Sequence, residues 1–320
     1  FFLKHKTAYA ILSGLVGSEM CIRDSYNVTH GDKIHYIQDT KDDGTLDEMN
    51  LHLWDLRLSN FCNFKCRSCG LDLSSSWHSD QNALAVNPRM KEIGSNYYHN
   101  NPVEKSLISV KDKTNFLDMM EDHYKCVDEI YFAGGEPLLM PEHYQILDRL
   151  IELGRTNVMI RYSTNFSKFN FGKKHVFDYW RQFKNLQLWV SVDGIGKVGE
   201  YVRHGFKDKN FDNQIKLFTE SGIKPLDMCY LVTYGAMNFL HLFDMIILFI
   251  KRNYVDYEKY FKGSRRMYFS PISYPNYLDS RYLPNWVKLK FFERLKSFPD
   301  ELRNVGAKNW FIIDLSLIHI

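Results

Sequence analysis

A surplus of charge of one sign is the first thing this chain of 320 residues lacks: 41 Lys and Arg stand against 38 Asp and Glu, a formal charge of +3. Without a polybasic tract, composition gives no ground for a nucleic-acid partner or an anionic membrane surface. Cysteine is scarce as well. Six in the whole chain are far too few for a disulfide scaffold, and three of them crowd into eight positions, which reads as metal chemistry in a reducing compartment. Long apolar runs are missing. The strongest, at 239–250, covers twelve residues and contains His241 and Asp244, whereas a spanning helix needs ~20 apolar residues, so a buried helix is expected there. Internal repeats, low-complexity tracts, a G-x-S-x-G elbow and a P-loop are all absent. The stretch Gly194-Ile-Gly196-Lys-Val-Gly199 has the G-x-G-x-x-G spacing but misplaces the acidic partner that a dinucleotide site requires.

What is present is a chain able to bury a large core. Apolar residues make up 45% and aromatics 15%, which excludes wholesale disorder, and the length suits one large α/β domain or two small ones.

The two ends are unusual. Lys4 and Lys6 precede an apolar run at 8–16, the layout of a secretory signal, which would export the protein. The stretch at 12–25 instead resembles a translated sequencing-library adapter, and 315–320 resembles its opposite strand. With no initial Met, the chain reads as a gene fragment with foreign ends, and roughly the first 25 and last 6 residues are set aside from fold reasoning. Cys21 lies in that segment and is given no chemistry.

From residue 51 onward, short strand-like runs alternate with helical stretches. Strands are expected at 51–58, 127–133, 157–163, 186–192, 224–233 and, more weakly, 266–272. Pro141 can open a helix in which Tyr144, Leu147, Leu150 and Ile151 follow at helical spacing, with Gly154 as its stop. Helices are also expected at 173–183, 211–221 and 238–251, and over 284–302, where Trp286, Leu289, Phe292 and Leu295 fall on one side. From the second strand on, starts recur every 30 to 40 residues or so, the length of a strand-helix-strand unit. Such a series demands a parallel sheet with right-handed crossovers, curling toward part of a barrel. The connection at 70–125 is too long for an ordinary crossover, which marks it as a functional insertion or lid; it holds a helix expected at 115–124.

The sharpest motif is Cys62-Asn-Phe-Lys-Cys66-Arg-Ser-Cys69, a C-x3-C-x2-C run just after the first strand. Four ligands would close a structural zinc or an iron-sulfur cluster, and no fourth Cys or adjacent His lies in the loop. Three leave one coordination position free for a small molecule. Gly134-Gly135-Glu136-Pro137 follows the second strand; the glycines allow close backbone approach, and the Glu136 carboxylate can accept from an ammonium group. Ser163-Thr164-Asn165 ends the third strand and Ser191-Val-Asp193-Gly194 the fourth; Tyr201-Val-Arg203-His204-Gly205 follows. All sit at C-terminal ends of expected strands, the rim on which parallel barrels build active sites.

In these motifs the sequence resembles the radical S-adenosylmethionine superfamily over about residues 51–272. The resemblance implies an α/β fold, a partial (β/α)6 parallel barrel. It implies a [4Fe–4S] cluster on Cys62, Cys66 and Cys69, whose open iron chelates S-adenosylmethionine. One electron then cleaves that cosubstrate to a 5′-deoxyadenosyl radical, which abstracts hydrogen from a substrate. GGEP would contact the methionyl group through Gly134, Gly135 and Glu136, and the Ser163–Asn165 turn would add contacts. Ser191 and Asp193 would meet the ribose, and Arg203 would pair with the carboxylate. Many relatives carry an aromatic before the third cysteine, where this chain has Ser68, so adenine contacts must come from elsewhere, such as Phe64 or the fifth and sixth strands. The likeness is nearest to members with a SPASM or twitch domain, yet no cysteine follows Cys229, so any auxiliary cluster belongs to a missing C-terminus.

The alternative is a zinc-stabilised binding protein on the same barrel, its site completed by a distant residue such as His78 or Cys126. Otherwise Cys126 and Cys229 read as small buried residues. Trp77-His78 and Tyr97-Tyr98-His99 are candidates to line a substrate pocket. The expected layout is a foreign segment at 1–25, an extension at 26–50 and a core at 51–283 with its insertion at 71–125. A C-terminal region begins over 284–314, and 315–320 is again foreign. Expected partners are a peptide or small-metabolite substrate and an electron donor such as flavodoxin or ferredoxin, with no nucleic acid and no membrane, in the cytoplasm.

Overall fold

The computed structural model describes residues 41, 43–48, 50–86, 113–255, 265–273 and 275–306. The terminal segments 1–25 and 315–320, expected to be foreign, most of the 26–50 extension and the Tyr97-Tyr98-His99 group lie outside them. The chain divides into two units between Leu51 and His52. In the first, the described residues make a turn in which Lys41 N donates to Thr45 O at 2.9 Å and Gly44 N to Lys41 O at 2.8 Å.

The second unit opens with β1 (Leu53–Leu56), a two-residue strand β2 (Lys65–Cys66), α1 (His78–Ala85) and α2 (Lys113–Met119). Next come β3 (Glu129–Phe132), α3 (Pro141–Glu152) and β4 (Met159–Thr164), then a hairpin of β5 (Asn170–Phe171) and β6 (Lys174–His175). They are followed by α4 (Val176–Trp180), β7 (Asn185–Ser191), α5 (Gly196–Val202) and β8 (Arg203–His204). The described elements end with α6 (Asp208–Glu220), β9 (Asp227–Tyr234), α7 (Leu242–Lys251), β10 (Arg265–Pro271) and α8 (Asn285–Asn304).

Six strands form one sheet in the order β1-β3-β4-β7-β9-β10, and every neighbouring pair is parallel. Strand order follows chain order without a reversal. Right-handed crossovers that always step the same way put their helices on one face and leave the other as the inside of a curled array. The α/β partial barrel with six parallel strands is therefore the observed architecture. All six expected strands are present, with ends moved by a few residues.

The two faces differ chemically. Toward the helices, Ile130, Phe132, Ile160, Tyr162, Leu186, Leu188, Val190, Tyr230 and Val232 are all buried. On the inner face Arg161 pairs with Glu129 at 2.9 Å and donates to Gln187 Oε1 at 2.8 Å, and Arg266 pairs with Asp227 at 2.5 Å. Tyr131 meets Trp189 edge-on at 5.6 Å. A closed barrel fills its interior with branched aliphatics; this inside is polar and suited to contact a ligand.

Helix α3 begins at Pro141 as expected and closes at Leu153, with Gly154 at φ +68°. Two expectations are corrected. The helix expected at 173–183 is reduced to α4, because Gly172, at φ +58°, turns 170–175 into a hairpin and His175 Nδ1 then caps the helix by accepting from Phe177 N at 3.2 Å. The glycine-rich stretch after Asp193 forms α5. In α8 the buried side is Val287, Phe291, Phe298 and Leu302, while Trp286 and Leu289 are 61% and 60% exposed and Phe292 is exposed too. Both sides of that helix carry apolar residues, and Phe239 and Phe243 decide between them: Phe291 stacks on Phe239 at 4.1 Å, and Phe298 lies 4.7 Å from Phe243. Among the described residues no helix is long and apolar enough to cross a membrane; the apolar run at 239–250 forms a 3-10 turn over Phe239–His241 and then α7, which buries Leu242, Phe243, Met245, Ile246, Phe249 and Ile250.

Candidate functional site

The cysteine loop leaves β1 and is fixed by its backbone carbonyls. Ser76 Oγ donates to Cys62 O at 2.8 Å, Ser74 Oγ to Phe64 O at 2.5 Å and Trp77 Nε1 to Cys66 O at 3.1 Å. Three alternate carbonyls are thus tied to one short segment, and Asn60 Nδ2 adds a bond to Leu71 O at 2.7 Å. Trp77 accordingly serves the loop as a donor. Its role as a pocket wall was the sequence expectation.

The loop is also tied to a distant segment. β2 pairs antiparallel with β8, which sets Cys66 opposite Arg203 and Lys65 opposite His204. Arg67 N donates to Val202 O at 2.8 Å, and its guanidinium lies 4.1 Å over the Tyr201 ring. Arg203 is 8% exposed, donates from Nη1 to Asp193 Oδ2 at 2.9 Å and lies 5.8 Å over the Phe64 ring. Phe64 itself is buried against Phe206, so its ring faces the core and not an open adenine site.

The Gly134-Gly135-Glu136 segment backs the loop from the β3 side. Gly135 N donates to Ser59 O at 3.0 Å and Glu136 N to Phe61 O at 2.7 Å. Glu136 is 2% exposed; its carboxylate accepts from Thr164 Oγ1 at 2.6 Å, Asn165 N at 2.7 Å and Leu138 N at 3.2 Å. Burial pushes its pKa up to about 7, against those bonds and the pull of Arg203.

The remaining expected residues lie on the same rim. Ser163 and Ser191 are half-buried near the ends of β4 and β7. Asp193 is buried, and both its oxygens have partners, Arg203 and Thr233 N at 2.9 Å. Asn165 Nδ2 donates to Asn63 Oδ1 at 2.9 Å and lies 3.8 Å from Cys62 Sγ. Sequence reasoning missed Asn63, which also donates to Ser167 Oγ at 2.9 Å, and Asn238, which holds the Asp193 carbonyl at 2.7 Å. An Asn inside the cysteine spacer is the one signal that could have marked the first.

The three thiols share an electrostatic setting. Burial pushes Cys62 up to about 11, with Glu136 adding to it. Cys69 donates to the Cys66 sulfur, which lowers Cys66 and raises Cys69. Arg203 pulls all three toward the thiolate. Cys126 stands before β3, at the end of the sheet away from this rim, with its sulfur on His123 O at 3.2 Å. Cys229 is buried in β9, where burial pushes it up to about 11.

A cluster bound by three thiolates suits this donor set. All three sulfurs feel one buried cation, Asn165 offers a donor to one of them, and the Arg203 Nε is buried with no partner among the described residues. Among the described residues no three His, Cys, Asp or Glu side chains close on one point as ligands of a single ion would. A four-iron cube takes its thiolates on separate irons and sets no such demand.

No family model and no curated protein matches the chain. Among solved structures it is similar to a histidine-tagged anSMEcpe with bound AdoMet, with TM-score 0.50 and 15% identity over 82% of this chain and 61% of that one. The native anSMEcpe with bound AdoMet gives 0.50 and 16%, over 80% and 63%. Streptococcus suis SuiB bound to S-adenosylmethionine gives 0.45 and 14%, over 81% and 49%. The chain spans about half to three-fifths of the length of these structures. At this identity the anSMEcpe likeness shows the fold alone, a partial barrel of parallel strands.

Proposed function

We propose that this chain is a radical S-adenosylmethionine enzyme. The observation that carries the reading is the cysteine loop itself: three sulfurs, no fourth ligand in the loop, alternate carbonyls tied down, and Gly134-Gly135-Glu136 bonded to the loop backbone from behind. The solved anSMEcpe structures, which share the fold, hold AdoMet and support it.

In this reading Cys62, Cys66 and Cys69 hold a [4Fe–4S] cluster with one iron open. When bound, cluster and cosubstrate supply a 5′-deoxyadenosyl radical that takes hydrogen from the substrate. The chain's own residues bind and orient. Asn165 Nδ2 donates toward the Cys62 sulfur and steadies it. Gly134, Gly135, Glu136, Ser163 and Ser191 form the wall facing the cosubstrate, and the Asp193–Arg203 pair closes its far side. The polar inner sheet face, with Arg161, Gln187 and Tyr131, faces a peptide or another small metabolite. An electron donor of the flavodoxin or ferredoxin kind supplies the electron, in the cytoplasm, with no nucleic acid or membrane involved. The catalytic core is 51–283, and a further region begins over 284–314.

The test is anaerobic reconstitution with iron and sulfide, which should load about four irons per chain. Dithionite and S-adenosylmethionine should then release 5′-deoxyadenosine. Cys66→Ala should abolish both; cleavage retained in that variant, or a colourless protein holding one zinc, sinks the reading.

A further inference from the structure

The β2–β8 register brings an arginine from far along the chain directly across from the middle cysteine. Its guanidinium lies over Phe64, the residue midway between Cys62 and Cys66. There it is buried, held at 2.9 Å by one carboxylate, and its Nε has no partner among the described residues. A buried donor without an acceptor is uncommon enough to ask what completes it. The acceptor at hand is the sulfur-rich group that the loop would carry.

We propose that Arg203 is a positioning residue that raises the reduction potential of the cluster held by Cys62, Cys66 and Cys69, with Asp193 acting against it. The inference rests on the reading above and adds a function to a residue otherwise assigned to the cosubstrate carboxylate. One electron from an external reductant would add one negative charge to the cluster that the three cysteines hold; no bond forms or breaks and no proton moves. A cation in a buried, low-dielectric position stabilises that added charge, and an anion destabilises it.

Asp193 alone does not cancel the effect. Its second oxygen is anchored to Thr233 N on β9, while the Arg203 backbone is anchored to the cysteine loop itself.

The test is a dithionite titration of the reconstituted full chain, without S-adenosylmethionine, followed by the cluster's visible absorbance and spin signal. Arg203→Gln should lower the reduction equilibrium constant at least tenfold, 59 mV for a one-electron couple. Asp193→Asn should shift it the opposite way, and Arg203→Lys should stay within threefold of the parent. Should Arg203→Gln fail to fold around an unpaired Asp193, the double variant Arg203→Gln/Asp193→Asn replaces it and should lie tenfold below Asp193→Asn alone. Shifts of the same sign in the glutamine and asparagine variants, or shifts under threefold in both, overturn the proposal. A parent chain that loads no iron overturns the functional reading instead; normal loading with an unmoved potential overturns only the role of Arg203.

Discussion

A Cβ added to Gly135 would sit 2.2 Å from the carbonyl oxygen of Phe61, the residue just before the first cysteine of the loop. The glycine is therefore required by the loop backbone, independently of any ligand. Gly135→Ala should push the loop off its two backbone bonds to Ser59 and Phe61. We expect a loss of about 1–3 kcal/mol by urea unfolding and iron uptake below roughly half of the parent. Gly172→Ala is the control: φ is +58° but nothing lies within 4 Å, so it should cost about 1–2 kcal/mol from backbone strain with iron uptake unchanged. Full loading in Gly135→Ala would remove the backing role.

The carbonyl clamp predicts a graded series. Ser74 is buried, and its hydroxyl donates to Phe64 O and accepts from Ser76 N. Ser74→Ala leaves a carbonyl without its partner and should cost about 1–3 kcal/mol. Ser76→Ala and Trp77→Phe each remove one bond in half-buried surroundings and should cost about 0.5–1.5 kcal/mol. All three should hasten iron loss to a chelator, Ser74→Ala most. Chelation rates equal to the parent would mean the loop holds its shape without these donors.

Acid stability should depend on His143. It is fully buried, its Nε2 lies 2.7 Å from Tyr162 Oη, and burial, helped by Lys174, pushes its pKa down to about 3. Unfolded histidine titrates near 6.5, so between about pH 3 and 6.5 the unfolded chain takes up a proton that the fold refuses. The contribution is complete above about 6.5 and is lost as pH falls through that window, up to roughly 4–5 kcal/mol. Glu136 works the other way: with its folded value raised to about 7, its contribution is present at low pH and fades as pH rises through 7. The measurement is therefore the difference between the parent and His143→Gln in urea midpoints from pH 4 to 8. The parent should lose more on acidification; parallel curves would exclude His143 as the cause.

The two sides of α8 should respond unequally. Phe291→Ala empties a site stacked against Phe239 and Phe243 and should cost about 3–5 kcal/mol. Leu289→Lys, on the exposed side, should stay within about 0.5 kcal/mol. Denaturant midpoints read both, and the reverse ranking would turn the helix over.

Much of this was legible in the chain alone where the cause is local. Runs with apolar residues at alternate positions, closed by glycine or a motif, located the six strands, because the face that packs on the helices must be apolar while the other lines the polar inside. Pro141 and Gly154 bounded α3 by their own backbone preferences. Other features depend on partners the local pattern does not name. The stretch 173–183 has helical spacing, but a turn at Gly172 takes its first residues into a hairpin. Trp286, Leu289 and Phe292 are as well spaced as Val287 and Phe291, and only the aromatic rings of Phe239 and Phe243 select the second set. Asp193 and Arg203 were each assigned to a ligand, and nothing in their spacing shows that they pair with each other.

The residue order by itself determined the succession of strands and helices, the polar rim at their C-terminal ends, and a loop with three thiols and no fourth. These follow from steric preference, burial and ligand chemistry, all local to the segments that carry them. Tertiary structure alone decided that Arg203 stands across from Cys66, that Gly135 supports the loop and that Ser74, Ser76 and Trp77 hold its carbonyls. Such contacts join parts of the chain far apart in sequence, and their energy exists only once the sheet has set those parts side by side.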